Sequence, residues 1–224
     1  MKLDNHDRDL HPLANVCGPL TAPLGLSIAG WPTPYAQGTG GFYLAEGGDS
    51  EKVLLVTARH VLFPPNEGVN VDYDYSRITT RVPPRNVFLL GTEAFNDLLK
   101  STKIEIGGHG IMAECYTRWI EELKELDASK DERKRLEATV RREEYQEKLE
   151  KGNKAMEALN EFHREVNTTW RHPKRRILGH VVHSPRITFG AGDEGYTEDY
   201  AVVELDSSKF EEGFRGNVID LGKF

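Results

Sequence analysis

The sequence is poor in the residues that mark several classes of protein. It has two cysteines in 224 residues, Cys17 in a Pro/Gly-rich segment and Cys115 in a helical pattern. Nothing signals a disulfide between them, and a reducing compartment suits them better. No run of 18 apolar residues occurs, so no hydrophobic membrane-spanning helix is predicted. The first nine residues carry no apolar stretch of the secretory kind, and we therefore expect a cytoplasmic protein.

The chain also lacks an excess of positive charge. Its formal net charge is −7 at pH 7, although 29% of its residues are charged. Residues 109–172, the most charged stretch, carry 13 Lys and Arg against 15 Asp and Glu. Nucleic acids and anionic membranes attract basic surfaces, so neither is an expected partner.

Composition divides the chain into β-type and helical parts. Residues 1–24 are predicted to be an N-terminal extension, residues 25–91 and 173–224 to form a β-barrel, and residues 92–172 to form a helical insertion. The apolar runs and turn residues predict seven strands, about the number that one small antiparallel barrel needs, at residues 24–29, 38–45, 52–58, 86–90, 176–185, 186–189 and 200–205.

The helical block has apolar residues at alternating spacings of three and four. This heptad spacing predicts helices over residues 109–127 and 130–170, with a shorter helix over 93–100. Because the strands on both sides share one barrel, the two ends of the block must meet, and an antiparallel helical hairpin satisfies that requirement.

The predicted ends of these helices raise three further points. Ser129 and Glu132 form a capping-box signature for the second helix, whereas Gly152 and Asn153 are residues at which it would break. His109, which follows two glycines, is predicted at a loop or helix start. Since the first helix is predicted to be half as long as the second, the second must pack partly on the barrel or bind a partner.

Three stretches carry residues that suit a common chemistry. An apolar, β-branched run at residues 53–61 delivers Thr57-Ala58-Arg59-His60 at its end, and a glycine-rich strand at residues 38–44 lies upstream. Far downstream, Asp199 directly precedes an alternating apolar strand. A strand end can hold one imidazole in place, and a carboxylate beside an imidazole fixes its tautomer.

Taken together, these stretches resemble the trypsin-like (chymotrypsin-fold) serine peptidases. The resemblance covers the segments around residues 25–91 and 173–206. It implies a fold of two antiparallel barrels with the active site between them, of which this chain holds the first. It also implies that His60 is the general base and Asp199 the acid that orients it. The helical hairpin is foreign to the general pattern and is similar to one found in a fungal group of trypsin-like proteins.

Other interpretations of these residues remain. His60 alone would be read as a hydrogen-bonded histidine at a strand end, and Asp199 alone as a strand or turn cap. Glu198 competes with Asp199 for the role of the acid. His180 and His183 are separated by an odd number of residues and would face opposite sides of a strand, which makes a poor metal pair. No cofactor and no metal site is predicted.

The family's chain order is His, Asp, Ser, and no nucleophile motif follows Asp199. Gly48-Asp49-Ser50 copies the family's tripeptide, but it precedes His60 and has the composition of a hairpin turn. The remaining candidates lack a glycine-rich surround or a reason to be activated; they are Ser184, Ser207, Ser208 and Cys115. We therefore expect the serine to lie outside this chain, and the chain alone to be inactive.

Three functions follow as hypotheses. The first is the N-terminal part of an intracellular trypsin-like serine endopeptidase that acts on protein or peptide substrates. The second is a pseudopeptidase whose helical hairpin binds a protein partner or a second copy of the chain. The third is a plain β-barrel binding domain in which His60 and Asp199 are structural. The fold class expected in every case is α+β, an antiparallel barrel interrupted by a helical hairpin.

Overall fold

The computed structural model describes most of the chain, namely residues 13, 16, 24–66, 68–77, 82–126, 130–209 and 216–218. Of these, residues 24–97 and 170–218 belong to one compact unit, and residues 13, 16 and 98–169 belong to a second. The predicted extension over residues 1–24 lies almost wholly outside the described residues.

The first unit is built on nine strands within the described residues. They are β1 (Ser27–Gly30), β2 (Gln37–Gly47), β3 (Ser50–Thr57), β4 (Tyr73–Asp74), β5 (Asn86–Leu89), β6 (Ile177–Ser184), β7 (Thr188–Ala191), β8 (Tyr196–Glu198) and β9 (Ala201–Leu205).

Six of these strands close into an antiparallel barrel, as the sequence predicts. Their order around the barrel is β1, β2, β3, β9, β6 and β5, and β5 pairs with β1 again. Strand β9 pairs with both β3 and β6, so the sheet closes on itself. The short β4 adds to β6, and β7 and β8 form a separate two-stranded ribbon.

The seven predicted strands correspond to β1, β2, β3, β5, β6, β7 and β9, with ends that differ by at most three residues. One difference matters for the site. The sequence predicts His60 at the end of a strand, but β3 ends at Thr57 and Arg59–Leu62 form a one-turn helix, α1. A helical turn lets Val61 and Leu62 both be buried, which an extended strand would prevent by its alternation.

The barrel interior is filled by aliphatic and aromatic side chains. Along β9 the pattern alternates, with Ala201, Val203 and Leu205 buried and the residues between them partly exposed. The best-buried large side chains come from different strands and are at most 2% exposed; they include Ile28, Leu55, Phe88, Val181 and Val203. Each contributes about 1.5–3 kcal/mol relative to an exposed position.

A buried arginine joins the two places where the chain leaves and re-enters the barrel. Arg176, directly before β6, donates to the carbonyl oxygens of Leu89 (3.2 Å) and Leu90 (2.6 Å) at the end of β5. Its guanidinium also lies 5.3 Å from the ring of Phe88 and 4.2 Å from that of Phe95. Burial lowers the pKa of Arg176 to about 10, which still leaves it charged at neutral pH.

Two helices of 34 residues each, α2 (Thr92–Glu125) and α3 (Glu132–Glu165), make up the helical region. Two details of the prediction are wrong. The short helix over 93–100 and the helix over 109–127 are one continuous helix, with His109 in its interior. The helices are also equal in length, so the argument for a partner from unequal lengths fails.

Glycine explains the first error. Gly107, Gly108 and Gly110 lie inside α2, where each costs about 1 kcal/mol relative to alanine but does not stop a long helix. Gly152 likewise lies inside α3. Asp131 caps α3 by accepting from the backbone N–H groups of residues 133 and 134, while the predicted cap Ser129 lies outside the described residues.

Aromatic rings of the two helices touch. The ring of Tyr145 lies 5.9 Å from that of Tyr116 and 5.2 Å from that of Trp119. Within the described part of the chain, no helix is apolar over a stretch long enough to cross a membrane.

Barrel closure predicts a strong effect of one glycine. A Cβ at Gly179 in β6 would overlap the carbonyl oxygen of Glu204 in β9. We expect Gly179→Ala to lower the free energy of unfolding by about 3 kcal/mol, because backbone must move to relieve the overlap. Urea unfolding measures the change.

Gly152→Ala is the matched control, because a Cβ there meets nothing within 4 Å. It should raise stability by about 0.5–1 kcal/mol, since alanine favours the helix. Unfolding of Gly179→Ala at the wild-type urea concentration would contradict the close approach of β6 and β9.

Candidate active site

Strands β3 and β9 bring the two predicted catalytic residues together. The strands are antiparallel and pair Thr57 with Ala201. Residues that follow Thr57 and residues that precede Ala201 therefore leave the barrel at the same end. His60 is the second residue of α1, and Asp199 lies in the two-residue link between β8 and β9. Two residues 139 positions apart in the sequence thus become neighbours.

The carboxylate of Asp199 holds His60 at two points. Nδ1 of the imidazole lies 2.6 Å from Oδ2, and the backbone N–H of His60 donates to Oδ1 at 3.1 Å. An ionised carboxylate can only accept, so the short contact requires the proton on Nδ1. That tautomer leaves a lone pair on Nε2, the form needed to take a proton from another group.

The pair is open to solvent on one side. The side chain of His60 is 55% exposed, whereas that of Asp199 is 24% exposed. This combination keeps the carboxylate anchored and the imidazole accessible.

Thr57, three residues before His60, and the glycine-rich strand β2 both help to hold the helix that carries His60. Thr57 is buried, and its hydroxyl donates to the carbonyl oxygen of Thr39 at 2.8 Å, which ties the end of β3 to β2. A Cβ at Gly38 would overlap the side chain of Val61, so the missing side chain makes room for α1. The glycine-rich strand therefore supports the helix that carries His60.

Arg59 and Ser184 form a buried hydrogen-bond network beside the pair, and sequence reasoning missed it. Arg59 is 2% exposed, and its Nη1 donates to Oγ of Ser184 (2.9 Å) and to the carbonyl oxygen of Ser184 (3.0 Å). Its Nη2 donates to the carbonyl oxygen of Val71 at 2.7 Å. Oγ of Ser184 donates in turn to the carbonyl oxygen of Tyr200 at 2.9 Å. The available signal was an arginine inside an otherwise apolar run.

Arg59 also shapes the local charge. Burial lowers the pKa of the Arg59 guanidinium, while the negative charges of Asp72 and Asp199 act to raise it. A second guanidinium, that of Arg85, lies 4.1 Å from the ring of Phe63, and Arg59 lies 4.3 Å from the same ring.

None of the candidate nucleophiles among the described residues bonds to His60. Ser50 begins β3 while His60 follows its other end, a separation of roughly 23 Å along the strand. Ser207 and Ser208 likewise follow the distal end of β9. Ser184 is close but fully buried and engaged in the network with Arg59. Cys115 belongs to the second unit, where it is a free cysteine.

The other singled-out residues do not join the site. Glu198 ends β8 and pairs with Thr188, so the carboxylate that reaches His60 is that of Asp199. The ring of His180 lies against Tyr75, and that of His183 lies 6.2 Å from Tyr200. Across the described ranges, no three His, Cys, Asp or Glu residues are grouped so as to hold a metal ion.

A cavity of about 410 Å³ lies beside α1 and was not predicted. Arg59, the neighbour of His60, forms part of its wall. The side chain of Asn70 donates to the carbonyl oxygen of Ile187 at 2.9 Å and accepts from its N–H at 2.8 Å, so two segments of the lining are tied together. The apolar part of the lining consists of Phe63, Pro64, Pro65, Val69, Ile187 and Phe189.

Comparison of the chain with protein-family models, with curated proteins and with solved structures gives no significant match in any of the three.

The two-point contact predicts unequal roles for two adjacent acids. Asp199→Ala removes the acceptor of two hydrogen bonds, and we expect it to lower the free energy of unfolding by about 1–2 kcal/mol. Glu198→Ala, the matched control, should change it by less than about 0.5 kcal/mol. Equal losses in the two variants, measured by urea unfolding, would contradict this assignment of the acid.

Proposed function

We propose that this chain is the histidine- and aspartate-bearing barrel of a trypsin-like serine endopeptidase, whose nucleophilic serine belongs to polypeptide outside this sequence. The observation that carries the proposal is the 2.6 Å contact of His60 Nδ1 with Asp199 Oδ2 at one end of a closed six-stranded barrel. In this role Nε2 takes the proton of the serine hydroxyl as it attacks a peptide carbonyl, then returns it to the leaving amine. Asp199 holds the tautomer and stabilises the imidazolium.

The openness of the pair supports this role. A base that serves a nucleophile from another domain must be anchored from its own side and free on the other. The imidazole is more than half exposed, while its anchor is mostly covered. The donors of an oxyanion hole and the specificity pocket would also come from outside this sequence, so this chain alone is inactive in the proposal.

The substrate class in the proposal is protein or peptide. The cavity beside α1 has the volume and the mainly apolar lining to receive a large side chain of a bound polypeptide. Two apolar side chains at this cavity, Phe189 and Val69, are 81% and 80% exposed. Contact with an apolar group of a bound polypeptide would remove this surface from water and stabilise the complex.

The helical region is proposed to be an antiparallel hairpin. Gly110 of α2 faces Met156 of α3, and Tyr116 and Trp119 of α2 contact Tyr145. Later residues of α2 thus lie beside earlier residues of α3, which is the contact order of an antiparallel pair. In the proposal this hairpin is an insertion in the chain between β5 and β6, like the one in the fungal group of trypsin-like proteins.

Serine-directed labelling tests the proposed activity. In native lysate, a fluorophosphonate probe should label a polypeptide that contains this sequence and extends beyond Phe224. In the complete product, His60→Ala and Asp199→Asn should each slow labelling by at least about 10⁴, because the serine loses its base or the base loses its tautomer.

Glu198→Gln in the same product serves as the control and should label at the wild-type rate. A product that ends at Phe224 and stays unlabelled would sink the peptidase proposal, and so would labelling that is insensitive to His60.

The second candidate is a pseudopeptidase whose helices bind a partner or a second copy of the chain. Exposed apolar side chains on the helices favour it. Ile104 and Ile111 of α2 are each 65% exposed and seven residues apart, on one face of the helix; Leu136 and Val140 of α3 are 67% and 57% exposed. Faces of this kind often mediate helix association.

Self-association tests the second candidate. If the Ile104 and Ile111 face binds a second copy, the double variant Ile104→Lys/Ile111→Lys should weaken dimerisation at least tenfold in sedimentation velocity, through loss of apolar burial. Glu114→Gln/Glu122→Gln changes the net charge equally and should leave dimerisation intact. A wild-type chain that stays monomeric at high concentration would eliminate self-association as the role of this face.

A further inference from the structure

We infer that Arg59 and Ser184 are positioning residues, which hold His60 and Asp199 in register through a buried hydrogen-bond chain. This hydrogen-bond chain runs from Arg59, the residue before His60, through the Ser184 hydroxyl, to the carbonyl oxygen of Tyr200, the residue after Asp199. The inference takes its chemical meaning from the proposed function, since positioning matters for a base and its acid.

The covalent connections make the chain effective. Arg59 is bonded to His60, and Tyr200 is bonded to Asp199, so each end of the hydrogen-bond chain is one residue from the pair. The segments that carry the pair are short. His60 lies on a helix of four residues, and Asp199 lies in a link of two residues between strands. Neither segment is long enough to hold its own geometry, so a tie between them restricts their relative movement.

Burial restricts the hydrogen-bond chain to one set of partners. Ser184 is 0% exposed and Arg59 is 2% exposed, so neither can exchange its partner for water without cost. The Ser184 hydroxyl accepts from Arg59 and donates to the carbonyl oxygen of Tyr200, which fixes the direction of its one hydrogen. The adjacent pair His183 and Val202 in the β6–β9 ladder holds Ser184 next to the start of β9.

Charge adds to the tie. Arg59 donates to three neutral acceptors, namely two carbonyl oxygens and one hydroxyl. These three bonds involve no carboxylate. The positive charge of Arg59 attracts the negative charges of the nearby carboxylates of Asp72 and Asp199. The attraction between the guanidinium of Arg59 and the carboxylate of Asp199 adds to the hydrogen bonds that join the two segments.

The tautomer of His60 measures positioning directly, because a role limited to global stability would not change it. Two-bond ¹H–¹⁵N correlations on the full 224-residue chain resolve Nδ1–H from Nε2–H, and His60→Gln assigns the signal. We expect the wild-type ring in the Nδ1–H form. In Ser184→Ala the ratio of Nδ1–H to Nε2–H should fall about tenfold, the effect of losing the net stability of one hydrogen bond.

Companion variants separate the possible causes. Ser184→Thr keeps the hydroxyl and should restore the ratio. Arg59→Met should lower the ratio of Nδ1–H to Nε2–H as Ser184→Ala does. Arg59→Lys keeps the charge but not the paired donors, and its ratio should lie between those of the wild type and Arg59→Met. Arg85→Met is the matched control, because Arg85 stacks on the same Phe63 ring and donates to Leu62 instead. It should leave the ratio unchanged.

An unchanged ratio in folded Ser184→Ala would overturn the inference, as would an equal fall in Arg85→Met. If Arg59→Met does not fold, Ser184→Ala and Ser184→Thr still decide, since they differ at one buried hydroxyl. Failure here is distinct from failure of the proposed function. A tautomer that depends on Ser184 in a product that never labels would keep the positioning network and reject the peptidase.

Discussion

The double pairing of β9, with β3 on one side and β6 on the other, is the constraint on which the barrel and the site both depend. It closes the six-stranded barrel, and it places the residues around Asp199 beside the residues around His60. The ladder needs a close approach at Gly179, which no side chain would permit. The same strand pairing that closes the barrel therefore also brings His60 and Asp199 into contact.

Around the pair, the structure combines an anchored side with an open side. On the anchored side, polar groups are buried and bonded, from the hydroxyl of Thr57 to the guanidinium of Arg59. The imidazole and, separately, the apolar side chains of Val69 and Phe189 at the cavity are exposed to solvent. Burying an arginine costs free energy, and hydrogen bonds to the carbonyl oxygens of Val71 and Ser184 and to the Ser184 hydroxyl offset part of that cost here. In the proposed peptidase, a base whose nucleophile lies outside this sequence would require this asymmetry.

The fold was predictable where residue pattern and local structure agree. Alternating apolar residues and turn signals predicted the barrel strands, because period-two patterning follows directly from the pleat. The helical region was predicted as helical but not with correct bounds. Gly107 and Gly108 indicated a break, yet α2 continues through them, since the cost of a glycine is small against 34 residues of helix. The one-turn helix at Arg59–Leu62 is too short for any periodicity to reveal.

By itself, the sequence determined the local chemistry: which segments are strands or helices, where an imidazole follows an apolar run, and where an acid precedes one. Only the tertiary structure decided which groups meet. It selected Asp199 over Glu198, because one carboxylate reaches His60 and the other ends β8. It also joined Arg59 to Ser184, 125 residues away. A contact between distant residues follows from strand register in three dimensions, and no spacing along the chain encodes that register.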